Sequence, residues 1–349
     1  MISNPLARSA LLMLTIVVIT IACWEIHLRS IGVSAASYDD GGPLWADKRA
    51  MVYEPSDKAT VFIGSSRIKY DLDIPTWENI TGDHAIQLAC VGSNPIPVLL
   101  NLADDADFKG KLVIDVTEFL FFSPLDGGSA PDRYIDYYKK RTPSQRASFQ
   151  INHLFESQLA FLDKDNFSLN AYLDKLPLKN REGVHGGPDF PWQFETVSFD
   201  RQSAMNPEFV ADTNLQNKVK GIWRFFRSMD KEPPVSGAKL DSIFIMVKTA
   251  VNKIKARGGQ VIFSRTPSSG EFWQIEQMGF PREKYWDRLL KETACNGIFF
   301  ADYPAINHFI CPETSHLKPQ DAIAFTKEFI RILEEEKGWK FQKTLMAAN

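Results

Sequence analysis

The sequence has little net charge, few cysteines and no glycine pattern for phosphate binding, and each shortage excludes a class of protein. The formal net charge is −3 over 349 residues, and no basic stripe occurs, so nothing favours binding to nucleic acid. The four cysteines form no CxxC pair, and no potential metal ligands show a metal-binding spacing. Neither a Gly-x-Gly-x-x-Gly nor a P-loop pattern is present. We therefore expect neither a metal nor a nucleotide cofactor.

The residues that are present have the proportions of a globular protein. Hydrophobic residues make up 44% of the sequence and charged residues 24%, which are ordinary values for folded domains. The aromatic content of 12%, with 25 phenylalanines, favours a phenylalanine-rich core over an aromatic-lined groove. Cys295 and Cys311 could form a disulfide in an oxidising compartment. Two small, buried, reduced thiols are the equal alternative.

One segment does not fit a soluble protein. The sixteen residues from Ser9 to Trp24 carry no charge and are flanked by Arg8 and Glu25. This length lies between a signal-peptide core and a membrane span. We favour an uncleaved anchor, because the first small-x-small cleavage pattern, Ser34-Ala35-Ala36, lies about ten residues beyond Trp24. Arg8 then keeps the short tail in the cytoplasm and the rest of the chain outside.

Short apolar runs alternate with segments of helical periodicity on both sides of a long irregular block. Strand, helix, strand, helix, strand within about 60 residues is typical of a parallel α/β core. The predicted strands cover 60–64, 85–89, 112–116, 260–264 and 297–300. The predicted helices cover 74–79, 96–103, 239–257, 282–293 and 319–336.

These patterns divide the chain into three parts. Residues 1–29 are interpreted as the membrane anchor, and 30–58 as a polar linker punctuated by glycine and proline. Residues 59–349 form the predicted catalytic domain. Within it, 123–235 is interpreted as a mostly helical insertion, of the kind that covers an active edge and sets specificity.

A strand that ends in serines provides the first candidate for chemistry. Thr60–Gly64 runs directly into Ser65, Ser66 and Arg67. A buried parallel strand delivers the residues that follow it to the carboxyl edge of the sheet, where α/β proteins bind ligands. Ser66 is therefore a candidate nucleophile, although a tight Gly-Ser turn after a strand is also common without catalysis.

A serine nucleophile needs a base, usually a histidine that a carboxylate orients. Of the six histidines, His316 alone has a suggestive setting, in a loop between the fifth predicted strand and the last helix. In a doubly wound sheet this loop lies at the same edge as Ser66. Glu313, three residues earlier, could accept the Nδ1 proton. The alternative is that His316 caps the final helix.

Together these blocks resemble the SGNH, or GDSL-type, hydrolase superfamily. Its Gly-Asp-Ser block corresponds to Gly64-Ser65-Ser66, and its Asp-x-x-His block to Glu313-Thr314-Ser315-His316. The resemblance implies a flavodoxin-like, doubly wound sheet of five parallel strands. It also implies that the serine attacks an acyl carbonyl, that the histidine acts as the base and that the glutamate orients it. The backbone N–H groups of Ser66 and Gly92 would then form an oxyanion hole.

The chain departs from the superfamily pattern in two of these blocks. Where the family has Gly-x-Asn-Asp after strand three, this chain reads Val116-Thr117-Glu118 and offers no amide to the oxyanion hole. Asn94 or the hydroxyl of Thr117 could substitute. Glu313 replaces the usual aspartate, and the longer acid can still reach an imidazole. The resemblance covers 60–122 and 240–337, so the insertion between them has no counterpart.

A narrower resemblance is to the membrane-tethered SGNH proteins of cell-envelope acylation. These include the D-alanyl transfer protein of teichoic acid modification and relatives of the alginate acetylation proteins. The resemblance implies a cytoplasmic-membrane protein that faces the periplasm, a multi-spanning membrane-bound O-acyltransferase as partner, and an envelope polysaccharide or polymer as acceptor. An esterase or deacetylase would use the same residues. A degenerate module would only bind glycan or scaffold an acyltransferase complex.

Two arginines are candidates for substrate binding. Arg67 and Arg265 each follow a core strand at the predicted active edge, where either could hold a carboxylate, phosphate or uronate. The alternative is a structural ion pair, with Glu118 as the partner of Arg67.

Overall fold

The structure is a computed structural model that describes residues 4–33, 37–125, 127–163, 167, 171, 173, 176, 188–229 and 232–342. The chain divides into two compact units, Met1–Asp39 with Pro143–His185 and Asp40–Thr142 with Gly186–Asn349. The predicted insertion is therefore divided, because its 143–185 part groups with the N-terminal segment and the remainder with the α/β core. The Ser34-Ala35-Ala36 pattern and His185 lie outside the described residues.

A five-stranded parallel sheet forms the centre of the second unit. The strands of the chain are, in order, β1 (Ala59–Ile63), β2 (His84–Gln87), β3 (Lys111–Asp115), β4 (Thr196–Val197), β5 (Ser203–Ala204), β6 (Gln260–Arg265) and β7 (Asn296–Phe299). β4 and β5 pair with each other in a separate antiparallel ribbon, and the other five form the central sheet. The sheet has the order β2-β1-β3-β6-β7, and every neighbouring pair is parallel. Counted within this sheet the order is 2-1-3-4-5, as in flavodoxin-like doubly wound proteins. The predicted parallel α/β core is confirmed.

The strands are apolar because both faces of the sheet are covered. Every residue of β1 and β3 is buried, as expected for a parallel sheet between helical layers. The helices Ile96–Asp104 and Gly237–Ala256 pack together, and the helix Pro319–Glu335 packs on both Ser66–Asp71 and Ile74–Thr81. The helices of the second unit are α2 (Gly42–Arg49), α3 (Ser66–Asp71), α4 (Ile74–Thr81), α5 (Ile96–Asp104), α6 (Glu118–Phe121), α7 (Ala130–Lys140), α9 (Pro207–Ala211), α10 (Thr213–Met229), α11 (Gly237–Ala256), α12 (Gly270–Gly279), α13 (Trp286–Thr293) and α14 (Pro319–Glu335).

Several helices of this unit, among them α2, α3, α6 and α12, lie where the sequence predicted no helix. Helix α2 lies inside the segment interpreted as a linker, and its Trp45 is completely buried in the main core. The indole N–H of Trp45 donates to the carbonyl of Leu88, 3.0 Å away. The interpretation as a linker is therefore wrong for α2. Helix α12, between β6 and α13, was also missed.

The first unit contains α1 (Pro5–Ser30) and α8 (Pro143–Glu156). A 3₁₀ turn, Ala160–Leu162, follows α8. Helix α1 has 26 residues and is long and apolar enough to cross a membrane. Its membrane-length stretch has no residue buried in protein. Among the residues that the structure describes, α1 is the one helix with the length and composition of a membrane anchor.

Candidate active site

The turn after β1 presents Ser66 at the carboxyl edge of the sheet. Pairing of β1 with β2 continues to Gly64, whose carbonyl accepts from Cys90 N at 3.1 Å. Gly64 has no room for a side chain, since an added Cβ would lie 2.8 Å from both Asp115 Cβ and Ile68 Cγ2. The chain can therefore turn directly from strand into helix α3. Ser66 is the first residue of that helix and is half-buried.

Ser66, His316 and Glu313 form one chain of hydrogen bonds. His316 Nε2 lies 2.8 Å from Ser66 Oγ, although the two residues are 250 positions apart. On the other side of the ring, His316 Nδ1 lies 3.0 Å from Glu313 Oε1. A carboxylate can only accept, so Nδ1 carries the proton and Nε2 is the lone pair that faces the serine hydroxyl. The structure thus brings together the three residues that the sequence singled out, in the geometry of an activated nucleophile.

Glu313 is held as a buried carboxylate by donors on both of its oxygens. Its Oε1 also accepts the backbone N–H groups of Ser315 at 3.2 Å and His316 at 2.6 Å. Its Oε2 accepts the indole N–H of Trp223. Burial by itself would raise the pKa of Glu313, but the neighbouring His316 and these donors outweigh burial and hold the pKa below its ordinary value. Thr314, at φ 81°, lies in the turn between Glu313 and His316.

Aromatic rings enclose the histidine. His316 is only 1% exposed. The ring centroids of Tyr70, Phe194 and Trp223 lie 4.5, 5.9 and 6.0 Å from that of His316. Tyr70 belongs to α3 and Trp223 to α10, so two separate helices supply this wall. These rings shield most of the imidazole from solvent.

Two residues that support the site were missed in the sequence. Asp71, at the end of α3, accepts the backbone N–H of Leu317 at 2.9 Å and so ties the loop of His316 to the helix of Ser66. Trp223 lies in the irregular block, where no motif connects it to Glu313. No motif in the sequence indicates either residue, because Asp71 is five positions from Ser66, outside the i+3 and i+4 spacing of one helix face, and Trp223 is far from Glu313 in the chain.

The predicted oxyanion donors are only partly in place. Gly92 is exposed, has φ 59° and follows the last paired residue of the β2 segment by two positions, so it lies at the same edge as Ser66. Asn94 as an oxyanion donor is wrong, because its amide donates to the carbonyls of Phe121 and Ser123 at 3.2 and 3.3 Å.

The hydroxyl of Thr117, the other suggested substitute, lies 2.7 Å from Ser65 Oγ. Both residues are buried. The contact joins the loop after β3 to the turn before Ser66. The hydroxyl of Thr117 therefore has a structural role and is not free to donate to the oxyanion.

The two arginines proposed for substrate binding form a buried ion-pair cluster. Arg67 pairs with Glu276, and Arg265 pairs with Glu276 and also with Glu118 at 3.0 Å. None of the four is more than 4% exposed, so a role as a surface for substrate is wrong. The suggested partner was also wrong, since Glu118 binds Arg265 instead of Arg67. Glu276 belongs to the unpredicted helix α12.

The cysteines do not form the disulfide that was one of the two alternatives. Cys295 and Cys311 are both free thiols. Cys311 is buried, and burial raises its pKa well above the ordinary value. It is therefore an inert packing residue.

No protein-family model matches this chain, and no curated protein matches it.

A pair of buried acids beneath the site makes stability depend on pH. Asp115, at the end of β3, accepts from Ser264 Oγ at 3.1 Å and from Thr266 N at 3.2 Å. Burial outweighs these donors and the charges of nearby arginines, and raises the pKa of Asp115 to about 6. Burial, with Asp115 beside it, likewise raises the pKa of Asp71. The folded state therefore holds protons here more tightly than the unfolded state does.

We expect the protein to lose stability as the pH rises. The ordinary pKa of an aspartate is 3.8. The tighter proton binding of Asp115 in the folded state therefore adds about 3 kcal/mol to the free energy of unfolding below about pH 4. This stabilisation is lost as the pH rises through about 6. Asp115→Asn should flatten this dependence, measured as thermal unfolding of the full chain in detergent across that range. Asp136→Asn, in an exposed ion pair, is the control. An unchanged slope in Asp115→Asn would contradict the assignment.

Proposed function

We propose that this protein is a membrane-anchored, SGNH-type acyltransferase that acts on a cell-envelope glycan or related polymer. The observation that carries the proposal is the hydrogen-bonded chain from Ser66 Oγ through His316 to Glu313. The flavodoxin-like strand order supports it, because SGNH proteins place their serine after the first strand of such a sheet. The anchor and the downstream Glu-x-x-His block favour the envelope-acylation branch of the superfamily.

The reaction runs in two halves that share the same residues. Ser66 Oγ attacks the acyl carbonyl of the donor while His316 Nε2 takes the hydroxyl proton. The tetrahedral oxyanion accepts hydrogen bonds from the backbone N–H groups of Ser66 and Gly92. As the intermediate collapses, the bond to the leaving group breaks and His316 returns the proton to that group. An acceptor hydroxyl, deprotonated by His316, then attacks the acyl-enzyme, and Ser66 regains its proton.

The enclosure of His316 favours transfer to an alcohol over transfer to water. Tyr70, Phe194 and Trp223 surround the base, so an acyl group on Ser66 lies beside an apolar wall that limits the approach of water. An esterase or deacetylase would use the same residues with water as acceptor. The assembled triad weighs against a module that only binds glycan. A membrane-bound O-acyltransferase that supplies the acyl group from an extracytoplasmic face remains part of the proposal.

A fluorophosphonate probe tests the nucleophile. We expect the full-length protein in detergent to be labelled, Ser66→Ala to lose the label, and Ser65→Ala to keep most of it. The two serines are adjacent, and Ser65 Oγ is engaged with Thr117, which makes Ser65→Ala the matched control. Labelling of Ser66→Ala at the rate of the parent protein, or loss of label only in Ser65→Ala, would show that Ser66 is not the nucleophile.

Trp223→Phe tests whether the indole N–H positions the carboxylate. The variant keeps an aromatic ring but leaves Glu313 Oε2 without its donor, and a hydrogen bond to a charged group contributes ~1.5–3 kcal/mol. The labelling rate should fall about tenfold. On the acid side, the fall of the labelling rate with decreasing pH should begin at a higher pH, because loss of the donor raises the pKa of Glu313. Trp273→Phe removes an indole N–H elsewhere in the second unit and should leave the pH profile unchanged. If Trp223→Phe had the same pH profile of labelling as the parent protein and Trp273→Phe, Trp223 would only fill space.

A further inference from the structure

In the first unit, a polar junction begins where the apolar surface of α1 ends. The described residues of α1 up to Trp24 are exposed or nearly so, and the first buried residues are Glu25 and Leu28. The carboxylate of Glu25 accepts the backbone N–H groups of Ala160 and Phe161 at 3.0 and 3.1 Å. If α1 crosses a bilayer, this junction lies at the level of the lipid headgroups.

Helix α8 is held at that junction by its carboxyl end. Gln158, two residues beyond α8, offers its carbonyl to the guanidinium of Arg29 on α1 at 2.6 Å. Arg29 also pairs with Glu25 at 2.7 Å, so one small network fixes the end of α1 to the segment that follows α8. The carboxyl end of α8 is therefore tied to the carboxyl end of α1.

The outer face of α8 is apolar and uncovered. Ile151, Leu154 and Phe155 are 58%, 60% and 54% exposed. Their i, i+3, i+4 spacing places them on a single face. Phe149 and His153 lie on the other side of the helix and are partly buried. The helix therefore presents a compact exposed patch of large apolar side chains on the side away from Phe149 and His153.

We propose that this patch is a lipid-binding surface and that α8 lies in the bilayer interface beside α1. An amphipathic helix at headgroup depth buries its apolar face at the boundary with the acyl chains. Large apolar side chains grouped on one face mark a contact surface, and the junction with α1 identifies lipid as the occupant. The proposal depends on α1 spanning the membrane and is independent of the chemistry at Ser66.

Photocrosslinking of the full-length protein tests the occupant. The photoreactive residue 4-benzoylphenylalanine would replace Leu154, or Asn152 as the control on an exposed polar side of the same helix. Each protein would be reconstituted in vesicles of phosphatidylethanolamine and phosphatidylglycerol, irradiated and digested for mass spectrometry. We expect a several-fold higher yield of phospholipid adduct at position 154 than at position 152. The probe at Val18 of α1 checks the premise and should also capture lipid.

Three results would overturn the inference. Equal lipid yields at 154 and 152 would mean that the patch has no preference for the bilayer. Adducts from 154 to another segment of this chain, or to a second protein chain, would mean that protein covers the patch. Absence of lipid adducts at Val18 would remove the premise that α1 spans the bilayer, while leaving the labelling of Ser66 unaffected.

Discussion

The carboxylate of Glu313 is the constraint on which the site depends. It is completely buried, and an ionised group without water is stable only when donors surround it. Those donors come from its own loop, from the ring of His316 and from Trp223 on α10. The hydrogen bonds that stabilise this one buried charge therefore fix the turn at Thr314, the tautomer of His316 and the position of α10 at the sheet edge.

A second layer of charge lies beneath the same edge. Arg67, Arg265, Glu118 and Glu276 neutralise one another in the core. Removing Glu276 would leave Arg67, and removing Arg265 would leave Glu118, as a buried charge without its ion-pair partner, which is far more costly than the loss of a surface ion pair. The cluster joins the helix of Ser66 to β6 and α12. It therefore stabilises the platform under the nucleophile instead of contacting substrate.

The sequence predicts what depends on local pattern. Continuous apolar runs located all five strands of the sheet, because strands buried on both faces need apolar residues throughout. Ser66, Glu313 and His316 were found because each stands in a short block at a strand or helix end. Trp223 and Glu276 were not, because Glu313 and Arg67, which they contact, lie 90 and 209 positions away and only tertiary packing brings them together. For the same reason, the sequence did not predict that the Asn94 amide donates to the carbonyls of Phe121 and Ser123. Helix α2 was missed because a short helix with glycine and proline at its start resembles a linker, and only burial of Trp45 distinguishes it.

The central claim is that Ser66 carries an acyl group during turnover. It is tested most directly by brief incubation of the full-length protein with an activated acetyl ester, acid quench and peptide mass spectrometry. The account predicts an acetyl group whose fragment ions locate it on Ser66 and which is absent from Ser66→Ala. An acetyl group on Ser65 or elsewhere that persists in Ser66→Ala, or no adduct above the level of that variant, would contradict it.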